Sequence, residues 1–505
     1  MKKVIVVGGG ISGLTATAYL ARAGHKVLLF EKNSEFGGLV SSIKHNSFTF
    51  EAGVRALVNA GIIQPMLKDL GIDLEMIPNK VSIGIEDKVI HFEDATDVDK
   101  YGEMLMEVYP ENKNEISNLV IQMKKVTGYV ENMYKIDNQV FHDLKKEKEF
   151  LLKKLLPWLP KFLLTLRKIN SLQEPVEQYV ARYITDSSPR DIITQHFFKA
   201  TPAFFALGYF AIYQAYFYPR GGVGKLAEAV RDKALEFQAE LKPNTTIKAI
   251  KPSEQLVVDQ NGTQYKYDYL LWAADLPTFY HIVNTNGLSL KAKKSISKIK
   301  EQFGKAKTSE SVFSLYLEVN MPLQYFRKIS NGHFFYTPSK VGLGDIHKAQ
   351  LEDLLNNFSK RSKKEILSWL DKFLECNTFE ISIPGLRDEN LVPKGKTGLI
   401  VSFLTEYELF EKVKEAGWYE EFREYIENKI IDILASTIYT ELKGKIEYKF
   451  SFTPLSIKNR IASTNGAIVG WSFEKEIPAV SNMLKVNQSV FTPIPNVFQA
   501  GQWTY

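Results

Sequence analysis

Gly8, Gly10 and Gly13 stand in G-x-G-x-x-G spacing directly after the apolar run Val4–Val7. Leu14–Ala23, rich in Ala and Leu, reads as a helix that Gly24 ends. His25–Phe30 reads as a second strand, with Glu31 at its carboxyl end. Each residue type has a task in holding a phosphorylated cofactor. Gly8 permits a tight turn, Gly10 lets the backbone approach a pyrophosphate, and Gly13 lets helix and strand pack closely. The helix start, at Ile11 and Ser12, offers unpaired N–H groups and the positive end of its dipole to phosphate oxygens. Glu31, 18 residues beyond Gly13, suits ribose hydroxyls and disfavours a 2′-phosphate, which argues against NADP. Strand, turn, helix, strand and acid in that order predict dinucleotide binding. Gly342-x-Gly344 lacks a third glycine and a preceding strand, so a single dinucleotide is expected.

Other chemistries find no support. The one cysteine, Cys376, excludes an internal disulfide and any multi-cysteine zinc or iron–sulfur site. It sits on an amphipathic stretch with no histidine nearby and reads as a structural thiol. The eight histidines form neither H-x-x-x-H nor H-E-x-x-H, so no metal site is expected. No G-x-S-x-G nucleophile elbow is present. The chemistry is therefore expected to be the cofactor's own.

The elements that must position this site span 505 residues, enough for two to four domains. Hydrophobic residues at 45% and charged residues at 24% argue against disorder, a fibre or a polytopic membrane protein. A net charge of +6 on this length gives no reason to expect nucleic acid as a partner. The apolar run after Lys2-Lys3 stops at Gly8, without a cleavage site, so no secretory signal is expected and a reducing, cytoplasmic setting fits. Tyr101–Met133, Lys360–Cys376 and Lys414–Tyr439 read as helices; Ser311–Val319 and Gly398–Leu404 read as strands. Phe150–Leu164 mixes Leu, Phe and Trp with lysines and two prolines. It is too broken to span a bilayer. It suits either a membrane surface or a helical hairpin packed on the protein. Ala203–Phe217 is apolar and shorter than a span, and reads as a core helix lining a cavity. Asn244-Thr245-Thr246 fits a glycosylation sequon that a cytosolic chain would not use.

Further segments carry a resemblance. Glu31-Lys32 leads to the glycine pair Gly37-Gly38 and then to Phe48-Thr49-Phe50-Glu51-Ala52-Gly53. Tyr218-Pro219-Arg220-Gly221-Gly222 precedes the helical stretch Leu226–Phe237. Thr246–Ile250, Tyr269–Asp275 with its Ala273-Ala274-Asp275 ending, and Thr492–Thr504 with Gly501-Gln502 complete the set. Together they resemble the glutathione-reductase-type flavoproteins, closest to the phytoene desaturase, carotenoid isomerase and retinol saturase branch. The family's usual Asp is Glu51 here, and the basic residue often found after the glycine pair is Leu39. In the family the last motif runs on into a helix that points at the flavin. Here the chain stops at Tyr505, so either the sequence continues beyond it or that helix is lacking; the first is favoured.

The resemblance implies an α/β fold: a Rossmann FAD-binding domain, discontinuous in sequence, with an inserted α+β substrate domain. The expected FAD parts are 1–75, 216–290 and 451–505; the substrate parts are 76–215, with membrane-contact helices, and 291–450. It implies FAD held by Gly8, Gly10, Ile11, Ser12, Gly13, Glu31, Lys32, Gly37, Gly38, Leu39, Gly53, Val54, Arg55, Ile247, Ala273, Asp275, Gly501 and Gln502. The expected activity is desaturation, saturation or isomerisation of C–C bonds in a hydrophobic polyene, isoprenoid or lipid, by hydride transfer with flavin N5. Arg55, Glu51 and Tyr218 are the candidates for a proton donor. Reaction direction and the external electron acceptor or donor stay open. Two alternatives remain: a flavin amine oxidase, and a non-catalytic flavin-binding protein peripheral to a membrane.

Overall fold

The computed structural model describes residues 1–93, 97–136, 138–479 and 483–504. Tyr505 lies outside them. Val4–Val7 is a continuous aliphatic run buried on both faces, as a central parallel strand requires. Strand Lys3–Val7 lies between Lys26–Phe30 and Tyr269–Trp272, and Glu240–Lys242 and Val497–Gln499 form the edges. All four pairings are parallel. Alternation along the strands builds two cores. Val4, Val6, Val27 and Leu29 pack with Leu14 and Ala18 of helix Ile11–Arg22 and with Leu226 and Val230 of helix Gly224–Glu236. Ile5, Val7, Leu28 and Phe30 pack on the other face, against Phe279 of helix Leu276–Ile282 and the hairpin strands Ile247–Lys251 and Leu256–Asp259. Three stretches far apart in sequence thus converge on one sheet.

A second sheet of seven strands runs Ile446–Phe452, Ser311–Val319, Thr397–Thr405, Phe379–Ser382, His333–Thr337, Val81–Ile85, Lys88–Phe92. It is antiparallel except where His333–Thr337 meets Val81–Ile85. Helix Lys363–Cys376 packs on it through Ile366, Leu370 and Phe373. Ser362 and Glu365 start that helix with reciprocal side-chain-to-backbone bonds, which satisfy two free N–H groups. The single helix expected over Lys414–Tyr439 is two, Tyr407–Glu415 and Tyr419–Ser436. Gly417, at φ +80°, turns the chain between them.

A helical layer of Asp97–Val108, Lys113–Met133 and Ala203–Gln214 buries its apolar faces in a third core. The apolar run 203–217 is helical only to Gln214, because Tyr216–Pro219 then pairs with Leu57–Val58 and Met76–Pro78. Phe150–Leu164 is no hairpin. Phe150–Leu155 forms a π-helical turn that continues into helix Leu156–Asn170. Trp158 Nε1 donates to the Asn132 carbonyl at 2.7 Å and pins this helix to its neighbour. No helix among the described residues is long and apolar enough to cross a membrane.

Candidate functional site

At the carboxyl ends of the parallel strands lies a cavity of about 390 Å³. This edge is where open α/β sheets place ligands. Gly8, Gly10, Ile11 and Ser12 form its floor. Glu31 and Lys32 come from the second strand's end, and Gly37, Gly38 and Leu39 from the loop beyond. Val54, Ile247, Ala273, Asp275, Gly501 and Gln502 complete the wall.

The glycines show what the cavity is shaped for. A Cβ on Gly13 would sit 1.9 Å from the Gly8 carbonyl oxygen, so helix and strand touch only because position 13 has no side chain. Gly8, at φ +105°, has the Ala273 backbone 2.8 Å from where a Cβ would be. Gly10 differs. Its φ of −69° suits any residue, and a Cβ there would meet nothing within 4 Å. Local packing does not require glycine at 10; close approach of a ligand to the backbone would. The helix N–H groups that lack intrahelical partners open onto the same space. This cradle fits the pyrophosphate of a dinucleotide.

Polar groups around the cavity are partly engaged. Glu31 accepts from the Gly9 N–H at 2.7 Å and the Asn33 N–H at 2.9 Å, which fixes its carboxylate at the cavity edge with acceptor capacity to spare. Lys32 donates to the Asn459 carbonyl at 2.7 Å. Asp275 caps helix Leu276–Ile282 through the Thr278 N–H and also holds the N–H and hydroxyl of Thr464.

A second cavity, of about 300 Å³, shares Leu39, Val54 and Ile468 with the first. Gly53 lies on its side of that partition, where a Cβ would strike the Leu39 carbonyl at 2.6 Å. Tyr209, Tyr216, Tyr316 and Phe452 give it aromatic walls, and Arg55, His333 and Glu380 line it too. Arg55 Nη2 donates to Ser402 Oγ at 2.5 Å and Ser314 Oγ at 3.3 Å, and Nη1 to the Glu51 carbonyl at 3.2 Å. His333 Nε2 lies 2.9 Å from Glu380 Oε1. Burial pushes the His333 imidazole below its ordinary pKa, which favours the neutral ring. Burial pushes the Glu380 carboxyl up, but His333, Arg55 and Arg387 overcome this and hold it ionised.

The structure separates the three expected proton donors. Arg55 reaches the second cavity, whereas Glu51 and Tyr218 line neither. Glu51 is sealed in a polar knot. It accepts from Tyr218 Oη at 2.6 Å, Arg387 Nη1 at 2.8 Å and Ser382 Oγ at 3.0 Å. Burial, then the Glu51 carboxylate, raises the Tyr218 phenol well above its ordinary pKa. Sequence reasoning missed His333, Glu380, Tyr209 and Tyr216. The apolar run 203–217 signalled a cavity wall and contains both tyrosines. Nothing local pointed to His333 and Glu380, which meet only because strands His333–Thr337 and Phe379–Ser382 pair.

Residues 6–70 match the family model described as an NAD(P)-binding Rossmann-like domain. Over most of its length the chain is similar to curated relatives. It is 22% identical to the 4,4'-diaponeurosporene oxygenase of Staphylococcus haemolyticus, covering 94% of this chain and 88% of that one. It is 22% identical to the phytoene desaturase of Fusarium fujikuroi, covering 93% and 80%, and to the all-trans-retinol 13,14-reductase of Danio rerio, covering 99% and 82%. Among solved structures it shares the fold of an oxidoreductase from Methanosarcina mazei, with a TM-score of 0.61 at 12% identity over 99% of this chain and 95% of that one.

Proposed function

We propose that the protein binds FAD and desaturates, saturates or isomerises C–C bonds of a hydrophobic polyene, isoprenoid or other lipid. One observation supports the reading: the glycine-lined cavity adjoins, across the shared wall residues Leu39, Val54 and Ile468, a second cavity walled by aromatic side chains. The names of the relatives point to the same substrate chemistry. Bound FAD supplies hydride acceptance or donation at N5. Gly8, Gly10 and the start of helix Ile11–Arg22 would bind its pyrophosphate, and Glu31 its ribose. Leu39, Val54 and Ile468 would exclude water from the junction and align an apolar chain against the flavin. On this reading the FAD domain is assembled from 1–75, 216–290 and 451–505, with substrate segments between them.

The substrate class suggests how it arrives. Leu152, Leu156, Leu163 and Leu164 are exposed on one helical segment, with Lys153, Lys154 and Lys161 beside them. Such a face suits the interface of an anionic bilayer. The protein is thus read as a cytoplasmic enzyme peripheral to a membrane.

The test is spectroscopic. Purified protein should be yellow or turn yellow with added FAD, and the flavin should change redox state on anaerobic mixing with a polyene or its reduced form. A protein that stays colourless with FAD overturns the reading. Vesicles rich in anionic phospholipid should carry the protein down on centrifugation, and Leu163→Asp with Leu164→Asp should abolish this.

A further inference from the structure

Helix Leu290–Lys305 carries its charge in an unfavourable order. Lys291, Lys293 and Lys294 stand at its start, where the first turn holds no acid. That end of a helix is the positive end of its dipole, so cations there cost stability. Lys294 follows Lys291 by three residues and Lys298 follows Lys294 by four, spacings at which like charges repel. The helix has one acid, Glu301, and Lys305 takes it at 2.6 Å. Among the described residues, Lys291, Lys293, Lys294, Lys298 and Lys300 have no acid at ion-pair distance. Exposed lysines elsewhere, such as Lys124, Lys363 and Lys443, have acidic partners. Lys291, Lys294, Lys298 and Lys305 are all exposed and lie on the face opposite the buried Ala292 and Ile296. They form a cationic stripe about 21 Å long.

The other face leads to the cofactor cavity. Ile296, Ile299 and Phe303 pack into the core on one side of the parallel sheet. The Phe303 ring centre lies 4.7 Å from that of Trp471, which lies 4.8 Å from that of Trp503. Trp503 lines the glycine-lined cavity. Just past the helix, the Ser309 N–H donates to the Gly470 carbonyl and the Ser472 N–H to the Lys307 carbonyl, both at 2.8 Å, which ties the helix end to this packing. A packed route of three rings thus joins the lysine helix to the cavity wall.

An unpaired cationic face fits an acidic surface. A bilayer fits it less well, because an interfacial helix keeps its apolar side free, and here that side is buried apart from Leu290. We propose that helix Leu290–Lys305 docks a small acidic electron-carrier protein, which exchanges electrons with the flavin across Phe303, Trp471 and Trp503. The rings are a path and are not themselves oxidised. For each substrate molecule, two carriers each gain or lose one electron. When electrons leave, the proton left on the reduced flavin goes to solvent; when they enter, one is taken from it. This rests on the FAD reading for the electrons, not for the docking. Such electron-transfer encounters are small and steered by charge.

The test uses the full chain as purified and, as probe, an oxidised plant-type iron–sulfur ferredoxin, whose surface is acidic. Titration calorimetry needs no flavin. The ferredoxin should bind at low ionic strength and about tenfold more weakly at physiological salt. Lys294→Glu with Lys298→Glu should weaken binding about tenfold. Lys364→Glu with Lys372→Glu makes the same charge change at exposed positions on another helix and should leave binding within about twofold. In FAD-loaded protein, the first double variant should slow flavin reduction by reduced ferredoxin by the same factor and leave photochemical reduction unchanged. No ferredoxin binding at low salt overturns the proposal, as does equal loss in both double variants. Loss of anionic-vesicle binding but not of ferredoxin binding in the first would give the stripe to a membrane and also overturns it. A colourless protein that binds ferredoxin at the stripe removes the redox reading and keeps the docking surface; a yellow protein that does not bind it does the reverse.

Discussion

The two adjoining cavities are built from different material. The glycine-lined cavity is shaped largely by backbone: Gly8, Gly10, Gly37, Gly38 and Gly501 line it, and Gly13 lets its floor close up. The second is shaped by side chains, three tyrosines and a buried Arg–His–Glu group, on strands and helices that are remote in sequence. A backbone-built site is rigid and serves one ligand shape, because a Cβ in the wrong place destroys it. A side-chain-built site can change its occupant by substitution without losing its frame.

The sharpest break of this comparison is Gly13→Ala. The atom in the way is the Gly8 carbonyl oxygen, 1.9 Å from the new Cβ, and backbone cannot swing aside. We expect a loss of about 5 kcal/mol or outright unfolding, read by chemical denaturation. Gly10→Ala is its control. Nothing lies within 4 Å of that Cβ, so stability should move by no more than about 0.5 kcal/mol while flavin retention falls. Equal destabilisation by the two substitutions would remove the argument that glycine at 10 serves the ligand.

Next comes the buried pair behind the second cavity. Glu51 and Arg387 sit 2.8 Å apart, with side chains 0% and 2% exposed. Arg387→Met strands the Glu51 carboxylate without its counter-charge, which should cost about 3–5 kcal/mol. Arg55→Met should cost less, because its partner Glu380 keeps solvent-sized space beside it in the cavity. The denaturation midpoints of the two variants rank them; a costlier Arg55→Met would mean that the cavity wall, not the sealed knot, holds this region together.

The same contrast explains what could be read from sequence. The parallel sheet was legible at its start because Val4–Val7, the glycines, the helix and Glu31 form a contiguous unit whose spacing encodes its own geometry. The segments around Ala273 and Gly501 carry no such local code, and only resemblance tied them to the sheet that they complete. The wall of the second cavity was illegible for a plain reason. His333 and Glu380 are 47 residues apart in sequence, and what joins them is the pairing of Phe335 with Glu380 and of His333 with Ser382. Glu51 shows the converse. Its motif position suggested exposure to the cofactor, but Arg387, 336 residues away, draws it into the protein.

The effect of acid builds gradually and should fall on one cavity only. Among the described residues lining the glycine-lined cavity none is a histidine. The second cavity has His333 in its wall and His196 close behind, with Phe335 packed against both rings. Burial pushes the His196 imidazole from 6.5 down to about 4. A ring held neutral in the folded state still protonates near 6.5 once unfolded, so the unfolded chain binds more protons between those values and stability falls as pH falls. The slope is about 1.4 kcal/mol per pH unit for such a group. His333 is depressed in the same direction, opposed by Glu380 and helped by Arg55 and Arg387. From pH 6.5 downward the wild-type protein should therefore lose stability, and His196→Phe should flatten part of that loss. Denaturation curves at several pH values measure it. Flavin should stay bound over the same interval. Release of flavin before stability falls would show that the backbone-built cavity, and not the side-chain-built one, is the acid-sensitive half.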